Sequence, residues 1–502
     1  MKSLNVKSGQ LIHYIFLLVG ISLFIFSNGR WSVSFAAWLA PIFLLRYIRY
    51  QKAFHGLIFL FISIALASRI MLFGIIPSLL GVLTYILTIY YAVLWFLPYL
   101  VHRIIAPRLN GFVSTLVLPV SAVTFEFINN LVYGSWATIG YTQFDNLALI
   151  QIASVVGVWG ITFIVMWFAS VVNWIIDNEF EWLIVRKGLL TFSVIFSLIM
   201  LYGGLRLEVF PPQSPTVTIA SFTATKETEG YYGELEMRGY ISSVSMAVED
   251  RSSQSVLLSS VYDEVFKHNK KLIDSDVSIT FWPEGLIKVL EEDETDFIGR
   301  GKDLAVTQNV YLLMAYFVIP VDNPGRLGEN KSVFINPEGE VEWEYLKAHP
   351  VPGSTDKAGD GVLPISNTPF GRVSAAICYD MDFTALIHQA GKSDIDIMLV
   401  PAWDWKAIDP LHSRMAVFRA IENGFSMVRH TGNGLSIAVD YQGRTLAAMD
   451  HFNTDVHAMK SQIPIRGVQT VYAVIGDLFA WLCFSVLCFT IVWFFIRGEI
   501  SY

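Results

Sequence analysis

Acidic side chains are nearly absent from the first 205 residues of this 502-residue chain: of its 43 Asp and Glu, only Glu126, Asp145, Asp177, Glu179 and Glu181 lie there. Charged residues of either sign make up 16% of the whole against 54% hydrophobic, and the mean hydropathy is +0.50. A soluble protein must wet its surface, so this composition excludes a string of soluble modules and requires a membrane unit joined to a more polar one. The net charge of -8 arises in the later part. No basic stripe or nucleic-acid motif is present, which argues against a nucleic-acid partner.

Cysteine is equally scarce. Of three, Cys483 and Cys488 lie in the final apolar stretch, which leaves Cys378 alone in the polar region. A single thiol cannot form an internal disulfide, so no covalent staple is available there. Cys378 is either a small buried hydrophobe or a nucleophile.

Crossing a bilayer takes about 20 apolar residues. Eight runs qualify, near 11–28, 32–48, 54–73, 76–100, 111–133, 151–175, 187–206 and 471–497. The first follows Lys2 and Lys7 as a secretory signal would, but no A-x-A-like cleavage site comes after it, so it is kept as a helix. Lys and Arg near helix ends stay in the cytoplasm. Lys2 and Lys7, then Arg46, Arg49 and Lys52, then Arg103 and Arg108, then Arg186 and Lys187, and finally Arg497 mark every second junction. Both termini are therefore expected inside. The domains expected are a seven-helix membrane domain at 1–209, an extracytoplasmic domain at 210–468, and an eighth helix with a short tail at 469–502. Glu126 is the one acid placed mid-helix; intramembrane carboxylates are costly and face a partner or a cavity.

From residue 215 short strands alternate with polar helices, among them "TVTIASF", a helix around 235–272, "VSITFWPEG", "VYLLMAYFV", "GRVSAAICYD" and "DIMLVPAWD". This is an α/β layered pattern. The turns at Asn336–Gly339 and Tyr441–Gly443 join hairpins, so the sheet is at least partly antiparallel. Glu284, Lys347 and Cys378 each follow a strand directly, and strand ends are where sites gather in α/β sheets. Cys378 also precedes a helical stretch, a setting that favours thiolate. A thiol near its usual pKa of about 8.5 needs a base to attack an acyl carbon, and Glu284 can serve. The resulting oxyanion needs donors, for which Lys347 and the N–H of Tyr379 fit. A papain-like pairing of Cys378 with His349 or His412 stays open. No H-E-x-x-H or Cys/His spacing suggests a metal, and G-x-S-x-G, P-loop and G-x-G-x-x-G motifs are absent. Aromatic loops at "AWDWKAID", with Trp403 and Trp405, and at "FVIPVDNPG" either gate lipid access or pack in the core.

"FWPEG", "NPEGEVEWEYLKAHPVPG" and "AAICYD" resemble, in order and spacing, the catalytic blocks of the nitrilase (carbon-nitrogen hydrolase) superfamily. The resemblance implies an αββα sandwich with Glu284 as base, Lys347 as oxyanion-stabilising ammonium and Cys378 as nucleophile. Eight spans with the domain before the last one, together with "FEFINNLVYGSWATIGYTQFDN" and "TVYAVIGD", narrow the resemblance to the apolipoprotein N-acyltransferases, the membrane-bound branch. It implies a monomeric, cofactor-free enzyme of the bacterial cytoplasmic membrane. Such an enzyme moves an acyl chain from a phospholipid through a Cys378 thioester to the α-amine of a lipoprotein's diacylglyceryl-cysteine. The pattern departs in places. After Lys347, "VPGSTDKAG" offers Ser354, Thr355 and Asp356 where the family carries glutamate, so a second acid is missing or replaced. Asp380 stands for the glutamate two residues after cysteine, and "PAWDWKAIDP" keeps Trp403 and Asp404 only loosely. Arg419, Glu422 and Asn433-Gly434 follow the family pattern. These departures bear on the acceptor and leave two alternatives, a membrane-tethered amidase or an acyltransferase for another amine. A binding protein that kept the fold is a third, disfavoured by the intact triad.

Overall fold

Residues 2–76, 80–223, 230–231, 251–320 and 326–497 are described by a computed structural model. Backbone contacts divide the chain into two units, Met1–Pro211 with Ile475–Tyr502, and Pro212–Val474.

The first unit is helical. Among the described residues six of its helices are long and apolar enough to cross a bilayer: Ala53–Met71, Val82–Arg108, Gly111–Tyr133, Val158–Asp177, Trp182–Val209 and Leu478–Ile496. Ser34–Tyr50 has 17 residues, and the apolar part of the helix Lys2–Ile25 runs from Ile12 to Ile25. Three expected spans start later than their apolar runs, each behind a glycine in the left-handed region. Gly81 (φ +56°) precedes Val82, Gly157 (φ +71°) separates Val158 from the short helix Ala153–Val156, and Gly476 (φ +58°) separates Leu478 from Val471–Ile475. Hydropathy runs straight through such a break because the backbone can turn without any polar side chain. The junction after Gly476 is held by Asp477, whose Oδ1 accepts from Trp159 Nε1 at 2.7 Å. At another end of the bundle Asp177 pairs with both Arg46 and Arg49, and Arg46 Nε donates to Asn173 Oδ1 at 2.5 Å.

Glu126 finds its partners in the loop that follows its own helix. Its Oε1 accepts from Ile139 N at 2.9 Å and its Oε2 from Thr162 Oγ1 at 2.7 Å, while Thr162 Oγ1 accepts from Gly140 N at 3.0 Å. One carboxylate thus ties the loop to the helix Val158–Asp177. Gly140 is required by the fit, since a Cβ there would lie 2.7 Å from the Val158 carbonyl oxygen. Asn129 donates to the carbonyls of Gly134 and Trp136, at 2.9 and 3.0 Å, and Gln143 Nε2 donates to Ser34 O at 3.0 Å. The loop is therefore folded into the bundle through its backbone groups, as burial away from water demands.

The second unit is an αββα sandwich. Its strands are β1 (Thr216–Phe222), β2 (Val277–Phe281), β3 (Lys288–Leu290), β4 (Tyr311–Ile319), β5 (Glu329–Ile335), β6 (Val341–Leu346), β7 (Ser366–Thr368), β8 (Gly371–Ala375), β9 (Ile397–Ala402), β10 (Ser426–Thr431), β11 (Leu435–Val439), β12 (Thr445–Asp450) and β13 (Ala458–Pro464). One sheet runs β13-β1-β2-β4-β5-β6, with β3 beside β4, and the other runs β12-β11-β10-β9-β8-β7. Side-chain alternation sets the layers. Leu312, Met314 and Tyr316 of β4 join Leu258, Val261 and Phe297 on the helical face, whereas Leu313 joins Phe334, Val373, Ile397 and Val428 between the sheets. Residues of β4 thus bury both faces, and the strand reads as a continuous apolar run. The helices Arg251–Leu272 and Glu294–Gln308 cover the first sheet. Thr384–Lys392 and Leu411–Asn423 belong to the second. The expected helix near 235 begins at Arg251 in the structure, and positions 235–250 lie outside the described residues. The hairpins expected at Asn336–Gly339 and Tyr441–Gly443 join β5 to β6 and β11 to β12.

Glu126→Ala is expected to orphan two buried donors at about 1–3 kcal/mol each, whereas Glu126→Gln keeps one acceptor and costs about one hydrogen bond. Thermal unfolding of the detergent-solubilised protein checks this order. Wild-type melting of the alanine variant would remove Glu126 as the clamp of the loop.

Candidate active site

Strand direction gathers the site. β2 and β4 are parallel, and two antiparallel steps through β5 bring β6 back to the same direction, so the residues after β2 and β6 and the first residues of β5 share one edge of the first sheet. In the second sheet β8, β9 and β10 are mutually parallel, and their carboxyl ends also share one edge. Glu284 and Lys347 come from the first edge, Cys378 and Trp403 from the second. Glu284 Oε1 accepts from Lys347 Nζ at 2.6 Å and from Asn330 Nδ2 at 2.6 Å, and its Oε2 accepts from Trp403 N at 3.1 Å. The carbonyl of Trp403 lies 3.7 Å from Cys378 Sγ. The backbone of one residue, Trp403, thereby touches both the carboxylate and the thiol, and the three expected residues meet across the two sheets.

Cys378 is 3% exposed and sits on a turn with φ +49°, the left-handed region that side chains other than glycine rarely occupy. Such a conformation costs about 1–3 kcal/mol and persists only where its surroundings fix it. Asp380 supplies that fixing. Its Oδ2 accepts from Ile377 N at 3.1 Å and Tyr345 OH at 2.8 Å, and its Oδ1 accepts from His349 N at 2.8 Å. Asp380 thus joins the cysteine turn to the Lys347 segment, and its acceptor oxygens hold structure instead of facing an oxyanion. Tyr379 stacks edge-on to Phe383 at 5.1 Å.

Burial alone would push the Lys347 ammonium down, but Glu284, with Cys378 and Asp380, holds it above its ordinary value. The amine therefore stays charged. Burial pushes the Cys378 thiol up and the Glu284 charge adds to this, while His412 and Lys347 pull the other way without reversing it. At rest the thiol is protonated, and it needs a base beside it.

Asn330 and Arg429 carried no signal in the sequence, and Asp356, Asp404 and His412 were named there without their partners. Asn330, at the start of β5, joins Glu284 to Asp356, whose Oδ2 lies 3.3 Å from its Nδ2. Burial raises the Asp356 carboxyl, and it feels both Lys347 and Glu284. Asp356 is therefore an acid at the site, in the segment where the sequence left the second carboxylate missing or replaced. Its clue was only its place after Lys347. His412 approaches Cys378 and is bound by Asp404 and Asp382, and Arg429 holds Asp404 with both terminal nitrogens at 2.8 Å. The partner of Asp404 is a β10 residue, which a linear reading cannot pair with it. Cys378, Asp404 and His412 bring ligand-type atoms within 4.8 Å of one another, but the Asp404 oxygens and His412 nitrogens are already engaged within this ionic cluster. His349 stacks on Phe383 at 3.6 Å, with Nδ1 3.4 Å from Asp380 Oδ1, so its ring is committed there. Trp403 is 39% exposed with its ring over Gly432, where a Cβ would come within 2.0 Å of the indole. Trp405 is half-buried, and the "FVIPVDNPG" loop lies outside the described residues from 321 to 325. Glu126 belongs to the helical unit, where its oxygens hold the loop described above.

Comparison with known proteins adds the family. The model of the carbon-nitrogen hydrolase domain matches residues 251–465, and that of the apolipoprotein N-acyltransferase N-terminal domain matches residues 20–171. Apolipoprotein N-acyltransferase of Geobacter metallireducens is 23% identical over 69% of this chain and 67% of its own length. The protein of that name from Haemophilus influenzae is 25% identical over 73% and 71%, and apolipoprotein N-acyltransferase 1 of Treponema denticola is 22% identical over 83% and 84%. Among solved structures, an amidase of the nitrilase superfamily from Nesterenkonia AN1 matches 50% of this chain and 92% of its own, with 14% identity and a TM-score of 0.40.

The ionic cluster at Asp404 has a pH signature. Burial opposes the Asp404 charge, but Arg429 and His412 hold its carboxyl well below the usual range. Its contribution to stability is thus present above about pH 4 and lost as pH falls through the depressed folded value. His412 is held well above its ordinary value against burial by Asp382 and Asp404. That contribution is full below about pH 6.5 and is lost as pH rises through the raised folded value. Asp404→Asn leaves Arg429 buried without its carboxylate and is expected to cost about 3–5 kcal/mol at neutral pH. It also flattens the acid limb of the stability curve. Unfolding followed against pH measures both, and a curve superimposing on wild type would show that the cluster contributes nothing.

Proposed function

This chain belongs to the apolipoprotein N-acyltransferase family, and from that premise we propose that it N-acylates lipoproteins through a thioester on Cys378 in two half-reactions. The observation that carries the reading is the contact of Lys347 Nζ with Glu284 Oε1 at 2.6 Å, beside a buried thiol on a left-handed turn. In the first half-reaction Glu284 takes the Cys378 proton and the sulfur attacks the ester carbonyl of a phospholipid. Lys347 and the N–H of Tyr379 stabilise the oxyanion, worth about 3–4 kcal/mol for one such donor. The C–O bond then breaks, the proton passes from Glu284 to the departing lysophospholipid oxygen, and the acyl chain remains on sulfur. In the second half-reaction the α-amine of a diacylglyceryl-cysteine attacks the thioester, Glu284 takes its proton, and as the C–S bond breaks Glu284 returns that proton to sulfur, leaving an amide, a free thiol and the carboxylate. Asn330 and Trp403 N orient the carboxylate throughout.

Both substrates are lipids, which accounts for a membrane scaffold around a hydrolase-like domain. Confined to one leaflet, they encounter the site by lateral diffusion and in sequence, the condition for ping-pong kinetics. The alternation of basic junctions supports cytoplasmic termini and an extracytoplasmic catalytic domain in a bacterial cytoplasmic membrane. The pairing of Asp177 with Arg46 and Arg49 supports the same assignment, because it brings together two helix ends that the charge pattern puts on one side.

Incubation of the purified protein with acyl-labelled phospholipid is expected to give a hydroxylamine-sensitive label on Cys378, which then moves to the amine of an added diacylated lipopeptide. Label lost only to water would favour a membrane-tethered hydrolase. Undiminished transfer by Cys378→Ala would overturn the assignment of the nucleophile.

A further inference from the structure

His412 plays no part in the two half-reactions just described, yet it is buried against the reacting sulfur. Its ring lies between two carboxylates. Nδ1 is 2.6 Å from Asp404 Oδ1, and Nε2 is 3.2 Å from Asp382 Oδ2. A neutral imidazole has one N–H, so a carboxylate acceptor at each nitrogen favours the ring with hydrogen on both. The ring is 2% exposed, and the two carboxylates favour its cationic form in this buried site. Arg429 opposes this charge from 2.9 Å but also secures Asp404 through both terminal nitrogens and Ser413 Oγ at 2.5 Å. The Cys378 sulfur, a His412 ring nitrogen and an Asp404 oxygen all lie within 4.8 Å.

We propose that His412 acts as an imidazolium charge partner of Cys378, stabilising negative charge on the sulfur when the thiol yields its proton and again when the thioester releases it. As an imidazolium the ring has no lone pair to offer and does not serve as the base; the proton leaves sulfur for Glu284, as in the mechanism above. His412 thereby differs in place and role from Lys347. The lysine comes from the first sheet and is bonded to the base itself, whereas His412 comes from the helix Leu411–Asn423 on the side of the second sheet. The sulfur is then faced by Glu284 and Lys347 from one sheet, and by His412, Asp404 and Arg429 from the other, with Asp380 and Asp382 on its own turn. Cationic support from two sides offsets the burial and the Glu284 charge that oppose the thiolate.

This inference rests on Cys378 being the nucleophile, but its test needs no lipid. The rate of alkylation of Cys378 by iodoacetamide, read by peptide mass spectrometry on the full-length protein in detergent, is followed against pH for wild type and His412→Gln. The glutamine variant is expected to move the midpoint upward by about one unit and to slow alkylation near neutral pH about tenfold. A lower melting temperature with an unchanged alkylation profile would mean a packing role only and overturn the proposal. Should the variant not fold, nitrogen NMR of 15N-histidine-labelled wild type decides: one ring with both nitrogens protonated above about pH 8 is expected, and its absence overturns the proposal. A shifted alkylation profile together with no lipid-derived thioester would leave the charge pair standing and reject the acyltransferase reading instead.

Discussion

A buried carboxylate and a buried ammonium, Glu284 and Lys347, in contact at 2.6 Å are the constraint on which this site depends. Neither charge is tolerable alone in that environment, and removing one partner of such a pair costs about 3–5 kcal/mol. The pair is affordable because further donors complete the carboxylate: Asn330 shares Oε1 with the lysine, and the Trp403 peptide takes Oε2. Those donors come from both sheets, so the charge pair forms only when the sandwich is closed. The carbonyl of the same residue, Trp403, meets Cys378, which sets the thiol relative to the Glu284 carboxylate. Chemistry and tertiary packing are in this way one requirement.

A second ionic set comes from the side of the second sheet, with Arg429 on β10, Asp404 just after β9, His412 on the helix Leu411–Asn423 and Asp382 at the end of the cysteine turn, all buried. In the proposed mechanism the two sets divide the work: the first moves a proton, and the second holds charge without moving one. Asp380, between them in sequence, serves neither directly; it holds the turn that keeps Cys378 in its left-handed conformation.

Much of this was legible in the chain before any coordinates. Strand periodicity with Glu284, Lys347 and Cys378 at strand ends led to an α/β layered domain, the resemblance of the motifs around those residues implied the αββα sandwich, and the scarcity of acid before residue 206 led to the membrane unit. What stayed hidden depends on pairing between distant segments. Asn330 opens an antiparallel strand, so its nearness to Glu284 exists only once β5 is placed between β4 and β6. Asp404, just past the end of β9, and Arg429, in the neighbouring parallel strand β10, are 25 residues apart. His412 was visible as an alternative base, but its two carboxylates could not be read from spacing, and they reverse its role. In the helical unit, hydropathy did not show the breaks at Gly81, Gly157 and Gly476, since a glycine turn carries no polar signature. Glu126 stood out correctly as an acid in need of a partner, and the partner proved to be a loop backbone and Thr162.

The central claim is that Glu284, Lys347 and Cys378 act as one unit. Single-turnover formation of the Cys378 thioester from labelled phospholipid, measured for Glu284→Gln, Lys347→Met and the double variant, tests it most directly. Residues that act together lose their function together, so each single variant should abolish nearly all of the rate and the double should add little. Losses that multiply as independent factors, or a single variant that acylates at the wild-type rate, would contradict the account.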